Sequence, residues 1–92
     1  MFRDGSAVLC NLGDHYQNGL GVPQDLSQAL YWYSRSAEKE NCVAEFSLGT
    51  LYAEGKGVER DLAAAIEWFE RASEHGSSDA RVALMALGDA RS

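Results

Sequence analysis

Few residues in this 92-residue chain could carry out chemistry, and their spacing argues against most of it. His15 and His75 are the only imidazoles, and no CxxC or CxH spacing accompanies Cys10 and Cys42, so the three or four ligands a bound metal needs are not assembled. Cys10 and His15 stand five apart, which puts them on different faces of a helix and leaves no activated thiol pair. Ser34 and Ser36 lie near Glu38, but serines on a helix without an oxyanion-hole loop read as ordinary surface residues. Gly19-Leu20-Gly21 and Gly55-Lys56-Gly57 superficially resemble phosphate loops. Neither follows a strand nor ends in GK[ST], so turn chemistry accounts for both. The expectation is a non-enzymatic protein with no catalytic, cofactor-binding or metal-binding residues.

Composition narrows the partners. Fourteen Asp and Glu against eight Lys and Arg give a net charge of −6, spread along the chain, which repels phosphate backbones and anionic lipid. Nucleic acid and membrane are therefore not expected as partners. No apolar run approaches the roughly 20 residues of a membrane span, and Met1-Phe2-Arg3-Asp4-Gly5 lacks the apolar core of a leader. A cytoplasmic setting is expected, unless a longer precursor carried a leader that was removed. Both cysteines are expected as reduced thiols, with a disulfide as the alternative.

The elements that must position these residues come from an internal repeat. Shifting residues 9–40 by 36 onto 45–76 gives 12 identities in 32 positions, against about two expected by chance at ordinary composition. The matched pairs run Leu12/Leu48, Gly13/Gly49, Tyr16/Tyr52, Gly19/Gly55, Gly21/Gly57, Val22/Val58, Asp25/Asp61, Leu26/Leu62, Ala29/Ala65, Trp32/Trp68, Arg35/Arg71 and Glu38/Glu74. Apolar residues at three- and four-residue steps predict a helix from a Ser6 cap to about Asn18, closed by Gly19 in the left-handed conformation. Asp25 caps a second helix through the amide of Gln28, and Val22 tucks beneath the pair. Gly13 and Ala29 remove bulk where the two helices meet, with Tyr16 and Trp32 filling the space beside them. The second unit replays this, with Glu67 and Arg71 as a surface pair; Ser77 or Ser78 then caps a fifth helix. Trp32 and Tyr33 recur as Trp68 and Phe69, the behaviour of core, which leaves Tyr31 as the exposed aromatic.

With these residues the chain resembles the Sel-one-like repeat family, relatives of the tetratricopeptide repeat. The pattern A-x-x-x-L-G-x-x-Y-x-x-G-x-G-V-x-x-D-x-x-x-A-x-x-W occurs twice, with Val8 in place of the first Ala. The resemblance implies an all-α fold, an α/α superhelix of about two and a half 36-residue units in a single domain. Repeat 1 spans about 7–42 and repeat 2 about 43–78, followed by a partial third repeat or cap over 79–92. It also implies non-catalytic adaptor or scaffold binding of other proteins, with the first helix of each pair lining the concave side. One departure bears on geometry: Glu40 stands where the second unit has Gly76, which predicts a tighter or partly helical link in place of a left-handed residue.

Comparing units then isolates a binding face. Asn11/Ser47, Asp14/Thr50 and Asn18/Glu54 differ between units on the first helices, while Cys10, Phe46 and Val82 form an apolar row in one register. These nine residues are the expected partner-binding set, for a peptide or helix carrying basic residues. Two rival readings are a small hydrolase, of the kind once proposed for secreted members of the family, and self-association through an exposed repeat end.

Overall fold

The computed structural model describes residues 5–91; residues 1–4, read above for a leader, and Ser92 lie outside the described residues. Five helices follow one another: α1 (Ser6–Asn18), α2 (Leu26–Ala37), α3 (Cys42–Glu54), α4 (Leu62–Glu74) and α5 (Ser78–Arg91). No strand occurs among the described residues. Each helix packs chiefly on the next, first within the pairs α1/α2 and α3/α4 and then between successive pairs. Stacking of this kind yields a slab of 41 × 34 × 16 Å, the shape of a short solenoid, with one buried cluster where α1, α2 and α3 meet and a second built by α4 and α5 against α3.

The repeated residues build the repeated joints. Gly19 and Gly55 close α1 and α3 at φ 68°, and the aspartate after each turn caps the next helix: the Asp25 carboxylate accepts the Gln28 amide, and Asp61 that of Ala64. Ser77 caps α5, its hydroxyl accepting the Ala80 amide at 3.1 Å. The small residue on the first helix works differently from the sequence-based picture of two small residues meeting. A Cβ on Gly13 would stand 2.6 Å from the Tyr33 ring, and one on Gly49 2.6 Å from that of Phe69. Each glycine thus makes room for an aromatic ring from the second helix to lie on the backbone of the first.

Four local expectations are corrected. Ser6 does not cap α1. Gly5 occupies that position with φ 80°, while the Ser6 hydroxyl accepts from Asn41 Nδ2 at 3.0 Å. Ser36 is not a surface residue but fully buried, donating to the Ser6 carbonyl at 2.7 Å and so tying the end of α2 to the start of α1. Glu40 adopts the left-handed conformation after all, at φ 62°, where the second unit has Gly76 at φ 105°; the expected tightening is present just before it, in the bonds from the Lys39 amide to the Ser36 carbonyl and from the Glu40 amide to that of Ala37. Arg71 forms no ion pair with Glu67; its guanidinium lies 4.9 Å from the centre of the Trp68 ring, where the cation meets the π face.

Candidate functional site

The polar residues expected on α1 occupy two environments. Asn11 and Asn18 are exposed, the latter donating to the Asp14 carbonyl at 3.0 Å. Asp14 is half-buried, and its carboxylate accepts a hydrogen bond from the Tyr33 hydroxyl. Tyr33 is fully buried, and its hydroxyl oxygen also lies 2.6 Å from the Gln17 side-chain amide. A phenol has one proton to give, and it goes to the charged acceptor, Asp14, with the Gln17 Oε1 beside it as a second, neutral acceptor. Burial, then the bond to Asp14, pushes the Tyr33 phenol above its ordinary range, with a hydrogen bond from Ser47 acting in the opposite sense. The phenol stays protonated and holds Asp14 in place.

The equivalent place in the second unit is apolar. Phe69 stands for Tyr33, Ala53 for Gln17 and Thr50 for Asp14, and the Thr50 hydroxyl turns back to the Phe46 carbonyl at 3.1 Å. Phe46 is half-buried, its ring centre 5.5 Å from that of Phe69. Ser47 is half-buried, and Glu54 is exposed and pairs with Lys56 at 3.2 Å. On α5, Val82 is 60% exposed.

Of the expected apolar row, Cys10 drops out: it is only 5% exposed and belongs to the core with Ala29, Tyr33 and Leu48. Its thiol is pushed up to about 11, by burial first and then by Asp14 and Cys42, which keeps it protonated and unreactive at neutral pH. Both cysteines are free. Asn11, Asp14, Asn18, Ser47, Thr50, Glu54, Phe46 and Val82 keep exposed or half-buried positions on α1, α3 and α5.

Two further clusters lie away from these residues. Tyr31, 50% exposed, meets Trp32 edge-on at 4.9 Å and accepts a hydrogen bond from Arg35 at 2.9 Å. The other was missed. Glu45 is 2% exposed, and both its carboxylate oxygens lie against His75 Nδ1, at 2.8 and 3.0 Å. The signal in the sequence was an acid at 45, where the first unit has Leu9 on its apolar stripe. No group of three or more His, Cys, Asp or Glu among the described residues is arranged to hold a metal ion, and no helix there is long and apolar enough to cross a membrane.

Comparison with known proteins places this architecture. Residues 6–41 and 42–77 each match the Sel1 repeat. Among solved structures, a Sel1 repeat protein from Oxalobacter formigenes is 30% identical over 89% of this chain and 34% of its own, with a TM-score of 0.87. A protective antigen with an SLR fold, present in uropathogenic Escherichia coli strains, is 41% identical over 82% of this chain and 16% of its own, at 0.80. Cysteine-rich protein B of Helicobacter pylori is 34% identical over 86% of this chain and 59% of its own, at 0.82. The chain thus spans less than two thirds of the length of each of these structures. No curated protein matches it.

Proposed function

This chain belongs to the Sel1 repeat family, whose repeats generally serve as protein-interaction modules, and we propose that it binds a partner peptide or helix along the first helices of its repeats. The observation that supports this reading is the contrast between matching positions of α1 and α3. The frame residues Leu12/Leu48, Gly13/Gly49 and Tyr16/Tyr52 are the same, while the accessible residues around them differ. A frame that repeats while its surface varies is how solenoids acquire individual partners.

The proposed binding face has a polar part and an apolar part. Asn11, Asp14 and Asn18 supply acceptors at the first unit, with Glu54 as a further acid, while Phe46 and Val82 offer apolar surface toward α5. The partner that fits carries Lys or Arg opposite Asp14 and an apolar residue over Phe46. Exposed charge pairs contribute only about 0.2–1 kcal/mol each, so they set orientation and association rate while the aromatic contact supplies more of the affinity.

The test is a binding measurement on a captured and identified partner, made with the intact domain. Asp14 is left unchanged because its charge holds the Tyr33 hydroxyl; Asn11→Arg, Asn18→Arg and Glu54→Arg are combined instead. This variant should keep the wild-type urea midpoint and lose association rate at low salt, whereas Phe46→Ala should speed dissociation. Wild-type binding by both, together with loss of binding on Tyr31→Ala or Glu67→Arg, would move the interface to the second helices. Steady turnover in a general esterase and amidase screen, absent from a mock purification, would favour a hydrolase.

A further inference from the structure

We infer that His75 is a pH-operated clasp that fastens the end of α4 to α3, with Glu40 of the link between the repeats as its weaker outer contact. Glu45 points from α3 into a position that is 2% exposed, and a buried carboxylate is costly unless it is paired and hydrogen-bonded. The partner its carboxylate has in the structure is His75, whose Nδ1 lies 2.8 Å from Oε1 and 3.0 Å from Oε2. The same ring turns its other edge outward: Nε2 lies 3.8 Å from Oε1 of Glu40, in the turn between α2 and α3. One imidazole at the end of α4 therefore touches a carboxylate on α3 and another on the link to the first unit.

A neutral ring can donate through only one nitrogen, so it keeps the Glu45 bond and leaves Glu40 uncompensated. The protonated ring donates through both and cancels the buried charge. The charged groups acting on His75 all favour that form: Glu45 from α3, Glu40 from the turn and Glu74 from its own helix; the hydrogen bond to Glu45 is the largest influence. Partial burial opposes them without reversing the direction, and the imidazole is raised above its ordinary 6.5. Glu40 adds an independent sign that this spot is held in place. It sits at φ 62°, a backbone conformation that disfavours any residue with a Cβ, and it directs its carboxylate toward His75. The first unit has no such clasp, because Leu9 and Lys39 occupy the matching positions.

The direction of the pH effect follows from linkage. A histidine whose folded value is raised contributes stability that is fully present below about 6.5, its unfolded value, and is lost as pH rises through the folded value. The clasp is therefore closed in mild acid and loosens on the alkaline side of the raised value.

The test combines titration with unfolding on the 92-residue protein. The Cε1–H resonance of His75, assigned by its loss in His75→Gln, should titrate with a midpoint above 6.5 in wild type. The midpoint should move down in Glu45→Gln and, by less, in Glu40→Gln. Urea midpoints of wild type should fall as pH rises through the measured value, and His75→Gln should lose that step. If Glu45→Gln fails to fold, the Glu40→Gln shift and the His75→Gln urea series still decide. A wild-type midpoint at or below 6.5, or a pH-dependent step that survives in His75→Gln, would overturn the clasp.

Discussion

At the scale of single residues, the position that matters most is one with no side chain. Gly13 and Gly49 sit beneath aromatic rings so closely that even a methyl group would lie 2.6 Å from ring carbons. Gly76 is the opposite case, because a Cβ there meets nothing within 4 Å and the objection is its φ of 105°. Gly49→Leu should therefore lower the urea midpoint more than Gly76→Ala does. Overpacking a close contact costs about 1–3 kcal/mol, against about 1 kcal/mol for putting a side chain on a left-handed residue. The steric origin can be isolated by pairing the milder Gly49→Ala with Phe69→Leu: coupled midpoints would show that the ring is what the methyl meets, and simple additivity would refute it. The sequence marked Gly13 and Gly49 as close helix contacts but paired Gly13 with the small Ala29; the ring that lies on each glycine, Tyr33 or Phe69, follows only from the packing. The polar trio was legible only by comparison, because Tyr33, Asp14 and Gln17 become Phe69, Thr50 and Ala53 together, each change explaining the others. Cys10 was misjudged because its alignment with the half-buried Phe46 fixes a register but not a depth.

At the scale of helices and links, the repeated turn residues predicted the boundaries well: Gly19, Gly55, Asp25 and Asp61 act where their types suggest. Local reasoning failed at the joint between units, and always for one physical reason. Ser36 reaches Ser6 across 30 residues, Asn41 reaches Ser6 across 35 and His75 reaches Glu45 across 30, and no local window contains both partners of such a bond. Glu40 shows the same limit: it takes the left-handed conformation, at φ 62°, although a glutamate gives no sign of it. Replacing it with glycine should relieve that conformation and leave the buried Glu45–His75 bond intact. The lost contact to His75 involves a Glu40 side chain that is 75% exposed, so it is worth little. Glu40→Gly is expected to raise stability by about 0.5–1 kcal/mol at pH 7, read as a higher urea midpoint with an unchanged slope. A lower midpoint would mean that the outer carboxylate contributes more to the joint than its exposure suggests.

At the scale of the whole molecule, α1 and α5 each keep one side that no other described helix covers, and the two faces differ. On α1, Val8 and His15 occupy the places held in α3 by the fully buried Ala44 and Leu51, and both are exposed, so that face is partly polar. On α5, Val82 and Met85 remain 60% and 62% exposed at the places of Phe46 and Gly49. Met85 also changes what the face can accept. In the two earlier units an aromatic ring lies on a glycine here, and a methionine side chain occupies that slot. A further helix bearing such a ring could not seat as α2 and α4 do. Two exposed side chains are far short of the roughly 1,000 Å² that a specific interface needs, and copies bearing a net charge of −6 repel one another. Light scattering over a dilution series should therefore report a monomer at micromolar concentration in low salt, with Val82→Ser and Met85→Ser leaving the mass unchanged. A concentration-dependent dimer abolished by those two substitutions would show instead that the α5 face pairs with itself, and the self-association reading would replace the monomeric module.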